Sequence, residues 1–285
     1  MVLYDLHTHS SASDGEYSPS VLAEKVKNAG ISVWALTDHD TVDGCREAAE
    51  AAEKLGIQFI PGVECTCKGH RHFHILGLGI DINSTELKNA LNELAESRML
   101  CAEKICAVLR EKGLDIQLDD VLKYADGGSV GKPHIGRVMI DKGYVSEMEE
   151  AFQKYFETPE IKSIKKKKLT SKEAVDLIHS AGGIAVLAHP YQLDIEPELL
   201  HDFVGNLKND GLDGIECWYS KFTEEMMETY IGFAEEFGLL KSIGSDFHGG
   251  KSKPDISLGT GRYNSIITLR EKHDFDGEIL KVLLD

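Results

Sequence analysis

Five times along the chain an amphipathic stretch runs into glycine and gives way at once to a short apolar segment. "PSVLAEKVKNAG" leads into "ISVWALTDHD", "GCREAAEAAEKLG" into "IQFIPGVE", "TSKEAVDLIHSAGG" into "IAVLAHP", "HDFVGNLKNDG" into "LDGIECWYS", and "TEEMMETYIGFAEEFG" into "LLKSIGSDFHG". Each glycine suits the left-handed residue that closes a helix. Ser18 followed by Pro19 reads as a helix cap and first turn, and Thr170 with Glu173 as a capping box. The segments after the glycines are apolar throughout, as strands covered on both faces are. With "VLYDLHTH" at the start and "HFHILGLGI" after the third strand, seven strands are expected, and "NSIITL" reads as one further strand. Such alternation restricts the chain to an α/β barrel or a doubly wound sheet. Every strand but the sixth, which ends in Trp218-Tyr219-Ser220, ends in a hydrophilic cluster. A barrel gathers all those clusters at one mouth, where such folds carry their chemistry, whereas an open sheet spreads them along an edge. A seven-stranded barrel is the preferred reading.

The rhythm breaks after strand four. "STELKNALNELAESRMLCAEKICAVLREKGL", "QLDDVLKYA" and "MEEAFQKYF" read as helices, and no strand is evident between Ile82 and Gly183. This is too long for a loop. Residues 84–168 are therefore expected to form an all-helical insert, with 1–83 and 169–285 forming the barrel. Because the insert leaves after strand four and returns at strand five, it is expected to cap the barrel mouth. It holds a lysine-rich run, Lys162 and Lys165 to Lys168, which reads as solvated surface. It also holds Arg98, Lys132, His134 and Arg137, a basic set in an acidic chain and the candidate substrate-binding residues, with Arg suited to gripping a phosphate through paired hydrogen bonds.

The net charge of −17 disfavours general nucleic-acid binding, which rests on Lys and Arg neutralising phosphates, but leaves room for a small anion. No apolar run is long enough to span a membrane and no secretory leader is recognisable, so a cytoplasmic, membrane-free protein is expected, with no protein partner implied. The six cysteines, at 45, 65, 67, 101, 106 and 217, match neither a disulfide framework nor a metal knuckle and are expected to be buried thiols.

Chemistry concentrates at the strand ends. His7 and His9 follow the first strand, with Asp14 just beyond. Asp38, His39 and Asp40 follow the second. Glu64 lies on the third. His70, His72 and His74 precede the apolar part of the fourth, His189 follows the fifth, and Asp246 with His248 the seventh. Residues at i and i+2 share one face of a strand, so His7 with His9, and Asp246 with His248, can each reach one ion. Imidazole with carboxylate suits Zn, Mn or Fe. The number of candidates exceeds the needs of one ion and suits two or three divalent ions.

"DLHTHSSASDG", "ALTDHDT", "GVE", "HILGL", "VLAHP" and "GSDFHG" resemble, in order, the successive motifs of the PHP (polymerase and histidinol phosphatase) family. The insert with "GKPHIGRVM" resembles its stand-alone phosphoesterase branch. The resemblance implies a distorted seven-stranded (β/α) barrel with a trinuclear site. One ion would take His7, His9, Glu64 and Asp246. A second would share Glu64 and take His74 and His189. A third would take Asp14, His39 and His248. His74 is preferred to His70 and His72 because it directly precedes "ILGL". Glu64, Asp14, His39 and His248 are the expected catalytic residues, with Asp38 and Asp40 orienting the ligands from behind. His179, His201 and His273 are expected to be ordinary. The chain departs from the branch in having "ETPEIKSIKKKK" where a Gly-Lys-Pro-like stretch commonly follows the last helix, which unsettles the register of phosphate contacts. The implied activity is hydrolysis, by metal-activated hydroxide, of a nucleoside 5′-monophosphate, a 3′,5′-bisphosphate, a cyclic ribose phosphate or the 5′ end of short RNA. Alternatives are a histidinol-phosphate phosphatase, an amidohydrolase-type C–N hydrolase and, less favoured, a non-catalytic metal-stabilised binding module.

Overall fold

The structure is a computed structural model that describes residues 3–125, 130–250, 253–259 and 277–284. The chain divides into two compact units, Met1–Lys88 with Leu169–Asp285, and Asn89–Lys168.

The first unit contains seven strands: β1 (Leu3–Asp5), β2 (Ile31–Leu36), β3 (Gln58–Thr66), β4 (His74–Leu78), β5 (Ile184–Leu187), β6 (Gly214–Tyr219) and β7 (Leu240–Gly244). They pair in sequence order from β1 to β7. The barrel is nearly closed, by the segment after β1 against the end of β7: Leu6 N–H donates to Ile243 O at 3.1 Å, Asp246 N–H to His7 O at 2.8 Å and His9 N–H to Phe247 O at 2.9 Å. Around the sheet lie α1 (Pro19–Asn28), α2 (Cys45–Leu55), then α8 (Ser171–Ser180), α9 (Pro197–Asp210), α10 (Glu224–Phe237) and α11 (Glu278–Leu284). The capping signals act as expected: Ser18 Oγ accepts from Val21 N–H, and Thr170 and Glu173 form their reciprocal box. Gly56 and Gly238 close α2 and α10 at φ of 66° and 60°. Leu22, Ala23 and Val26 of α1 and Ala48 and Ala52 of α2 bury against Ile31, Trp34 and Leu36 of β2. The stretch proposed as a further strand, 264–269, lies outside the described residues.

One strand departs from the parallel barrel that the repeats imply. β4 runs antiparallel to both β3 and β5, with Glu64 opposite Leu76 and Leu76 opposite Val186. The reason is chain length. Only residues 67–73 separate β3 from β4, and a parallel return needs a dozen residues or more. The reversal puts the first residue of β4, His74, beside Thr66 at the end of β3. His74, at the N-terminal end of this strand, thus meets side chains from the C-terminal ends of the others.

In the second unit no strand occurs among the described residues. It carries most of α3 (Thr85–Glu111), then α4 (Leu118–Ala125), α5 (Lys132–Asp141), α6 (Met148–Ala151), a π-helical turn (Phe152–Phe156) and α7 (Pro159–Ser163). Ala102, Ile105, Cys106 and Leu109 mark one face of α3 at helical spacing and pack with Ile116, Val121, Ile135, Met139, Phe156 and Ile161. Gly136 lets α5 approach α6, because a Cβ there would meet Met148 Sδ at 2.4 Å.

Candidate metal centre

His7, Thr8 and His9 continue β1 in extended alternation. Thr8 turns outward to β2, its hydroxyl donating to Ala35 O at 2.8 Å and accepting from Trp34 Nε1–H at 2.7 Å. That leaves His7 and His9 on the opposite side, 0% and 1% exposed, with their Nε2 atoms 3.1 Å apart. Three strand ends leave regular geometry where they deliver candidate ligands or their neighbours. Asp40, His189 and Asp246 have φ of 51°, 28° and 57°, conformations that cost on the order of 1–3 kcal/mol for a residue with a side chain and persist only when surrounding contacts impose them.

Glu64 joins the cluster. It is fully buried on β3. Its Oε1 lies 2.8 Å from both His74 Nδ1 and His189 Nε2, which are themselves 3.3 Å apart. Its Oε2 lies 3.0 Å from His39 Nδ1, 3.1 Å from His9 Nε2 and 3.4 Å from His7 Nε2. Asp246 divides its oxygens differently. Oδ2 accepts from Tyr219 OH at 2.6 Å and Lys253 Nζ at 2.5 Å, while Oδ1 faces His9 Nε2 and His248 Nδ1 at 3.3 Å and His7 Nε2 at 3.5 Å. Asp14 reaches His248 Nε2 at 3.3 Å and His39 Nε2 at 3.8 Å.

Four groups of donor atoms, each within 4.8 Å of one another, result: His7 with His9 and Asp246; His7 with Glu64 and His189; His39 with Glu64 and His74; and His9 with Asp14, His39 and His248. These include all nine residues singled out as metal ligands. The donor set fits divalent cations on a further ground. Glu64 Oε2, although three imidazole nitrogens surround it, accepts no hydrogen bond, and the buried His9 Nδ1 and His39 Nδ1, which face Asp14 and Glu64, also lack one. Buried polar atoms are almost always satisfied. Nitrogen and oxygen lone pairs converging without protons between them are what a cation satisfies.

The electrostatics agree. Burial works against the carboxylates, but His39, His74 and His7 hold Glu64 well below the usual carboxylate range, and Lys253, His248 and His7 do the same for Asp246. Burial, reinforced by neighbouring imidazoles, lowers the pKa of His9, His39 and His74. Burial also opposes charge on His7, but Glu216, Glu64 and Asp246 outweigh it and raise its pKa well above the ordinary value. A bound cation competes for that same proton position.

Asp38 and Asp40 accept hydrogen bonds from backbone and hydroxyl groups. Asp38 takes Ser10 N–H at 2.8 Å, Ser10 Oγ at 2.7 Å and Ser13 Oγ at 2.6 Å, fixing the loop that carries Asp14. Asp40 takes Thr66 N–H at 2.7 Å and its hydroxyl at 2.8 Å, pinning β3 two residues past Glu64. Sequence reasoning missed Glu216, Tyr219 and Lys253. Glu216 is a lone carboxylate in an apolar strand, and that was its one available signal.

His70 and His72 are exposed. His179 pairs with Asp213 at 2.7 Å and His201 with Glu236 at 3.0 Å, away from the cluster; His273 lies outside the described residues. All six cysteines are free, and five are buried, Cys101 being partly so. The basic candidates fall in the helical unit: Arg98 on α3, and Lys132, His134 and Arg137 on α5. Lys132 Nζ donates to Phe156 O at 3.2 Å, and His134 Nδ1 accepts from Gly131 N–H at 3.1 Å, so both help hold the start of α5. Arg137, one turn after His134, is exposed.

A family model described as the PHP domain matches residues 5–161. A 5′-3′ exoribonuclease from Haemophilus influenzae is 33% identical over 94% of this chain and 98% of its own. A 3′,5′-nucleoside bisphosphate phosphatase from Chromobacterium violaceum is 33% identical over 87% of this chain and 88% of its own. Among solved structures, one described as an amidohydrolase from Chromobacterium violaceum, with bound sulfate and no metal, superposes with a TM-score of 0.77 at 31% identity, covering 95% of this chain and 96% of that one.

Proposed function

This chain belongs to the PHP domain family and is a phosphoric ester hydrolase; from that premise we propose that it cleaves phosphate esters of nucleotides or ribose phosphates at a centre of two or three Mn, Fe or Zn ions. The observation that carries the reading is the division of Glu64, whose two oxygens serve two separate sets of imidazoles. His7, His9, Glu64 and Asp246 would hold one ion, Glu64, His74 and His189 a second, and Asp14, His39 and His248 a third. Held by these residues, such ions would lower the pKa of water and offset charge on phosphoryl oxygens.

The residues themselves supply order and charge. Asp14, Glu64 and Asp246 bring the negative charge that retains cations. Tyr219 and Lys253 hold Asp246 Oδ2, leaving Oδ1 toward the imidazoles. Glu64, Asp14, His39 and His248 would act closest to the reacting phosphorus. Arg98, Lys132, His134 and Arg137 of the helical unit are our candidates for gripping phosphate, with Arg137 the first choice because it is exposed. The Asp14, His39 and His248 grouping favours this reading over a C–N hydrolase, which has no need of it.

The test is phosphate release by metal-loaded protein from nucleoside 5′-monophosphates, 3′,5′-bisphosphates, cyclic ribose phosphates and 5′-phosphorylated short RNA, with histidinol phosphate and amide substrates alongside. Turnover is expected on the ribose-linked esters. Turnover of amides or histidinol phosphate alone would refute the proposal.

A further inference from the structure

Glu216 belongs to none of the ligand groups, yet it touches two of them. It sits on β6, fully buried, between Ile215 and Cys217, which are also fully buried. Its Oε1 lies 2.9 Å from His7 Nδ1, and its Oε2 accepts the backbone N–H of His189 at 2.5 Å. A carboxylate in such surroundings is costly unless it is charge-paired and hydrogen-bonded, and the fold is shaped to keep it. The β6–β7 register slips between Glu216 and Trp218, and bulges of this kind re-aim a side chain. Gly244 on β7 leaves the room: a Cβ there would come within 2.9 Å of Glu216 Oε1 and 2.3 Å of His7 Cβ.

We propose that Glu216 is the positioning residue that aims His7 Nε2 and sets the backbone of His189, so that one carboxylate locks ligands of two ions in mutual register. A carboxylate only accepts, so His7 Nδ1 must donate. The lone pair then sits on Nε2, which faces His9 Nε2 at 3.1 Å, Glu64 Oε2 at 3.4 Å and Asp246 Oδ1 at 3.5 Å. At His189 the second oxygen anchors a residue at φ 28°, where a side chain would otherwise relax, and keeps Nε2 within 2.8 Å of Glu64. Metal-binding histidines commonly have their far nitrogen fixed this way, and loss of the fixing group typically costs ten- to a hundredfold in affinity. The dual grip extends the effect beyond one imidazole.

The inference rests on the reading of the cluster as a metal centre but not on the substrate. Its test is Zn²⁺ binding by the full chain, measured by competition with a chromophoric chelator and by metal analysis. Glu216→Leu, which keeps volume and removes both acceptors, should weaken Zn²⁺ binding ten- to a hundredfold. Glu216→Gln, which keeps one acceptor, should recover part of that loss. Zinc-loaded wild-type protein, observed through its imidazole nitrogens by NMR, should show His7 protonated at Nδ1. Wild-type affinity in a folded Glu216→Leu protein would overturn the proposal, and so would a His7 proton on Nε2, a readout on wild-type protein that holds even if Glu216→Leu fails to fold. Wild-type protein that binds no Zn²⁺ would instead strike the metal-centre reading itself.

Discussion

In the barrel unit His7, Glu64 and Glu216 are completely buried, with His9, Asp38, His189, Asp246 and His248 nearly so; in the helical unit every buried side chain among the described residues is apolar. The two units therefore owe their order to different terms. Leu109, Ile135 and Phe156 are held by removal from water, which needs no partner of particular geometry. The barrel mouth gathers groups that are unfavourable to bury alone, and they are tolerable only as a set. The difference teaches where each unit should fail: the helical unit on loss of volume, the mouth on loss of charge or of a partner.

The largest effect should come from the mouth. Glu64→Gln keeps shape and removes the charge shared between two imidazole sets. We expect turnover to fall by roughly four orders of magnitude, about 5.5 kcal/mol, with bound metal falling below the wild-type number. Near-normal kcat in a folded, fully loaded Glu64→Gln protein would remove Glu64 as the bridge. In the helical unit the matching experiment is Leu109→Ala. The cavity should destabilise that unit by about 2–5 kcal/mol, seen in denaturant unfolding, while metal content stays at the wild-type value. A change in metal content would mean that the two units do not fail separately.

Chelation sharpens the contrast without mutation. Ions present at a hundred times their dissociation constant stabilise the state that binds them by about 2.7 kcal/mol. Their removal should lower the unfolding temperature and speed hydrogen exchange at the strand ends near His9, Glu64 and His189. Amides of Ile135 to Met139 should exchange at unchanged rates. Equal acceleration in both units would show that the ions order more than the barrel mouth.

Much of this division was legible in the chain. The helix–glycine–strand repeats located five of the seven strands because local periodicity and helix-closing glycines are short-range signals, and the apolar runs "VLYDLHTH" and "HFHILGLGI" located the other two. His7 with His9, and Asp246 with His248, were visible because spacing of two on an extended chain sets their face. The direction of β4 was not read from the repeats, although the short 67–73 link held the information. Glu216 and Lys253 were missed for another reason. Glu216 meets His7 across 209 positions of sequence, and only closure of the barrel brings them together. Lys253 gains its meaning from Asp246 Oδ2, a contact decided by loop geometry rather than by pattern.

The smallest expected effect concerns the first choice among the residues to which the apolar-cored unit owes a chemical task. Arg137 lies on α5 between the buried Gly136 and Val138 and is itself exposed, so its side chain contributes little to the core of that unit. Lys132 and His134, by contrast, already serve the start of the same helix. Arg137→Ala should therefore leave unfolding and metal content unchanged, and removal of a phosphate contact should lower kcat/KM about ten- to a hundredfold, roughly 1.4–2.7 kcal/mol of transition-state binding. The split between parameters is informative. A rise in KM at constant kcat would mean that Arg137 grips ground state and transition state alike, as expected of a phosphate remote from the reacting one, whereas a fall in kcat would place it at the scissile group. Lys at this position restores charge but not the paired donors, so partial rescue by Arg137→Lys would separate attraction from geometry. Unaltered kinetics for Arg137→Ala across nucleotides, bisphosphates and short RNA would remove Arg137 as the phosphate grip and leave that task to Arg98, Lys132 and His134 or to the barrel loops.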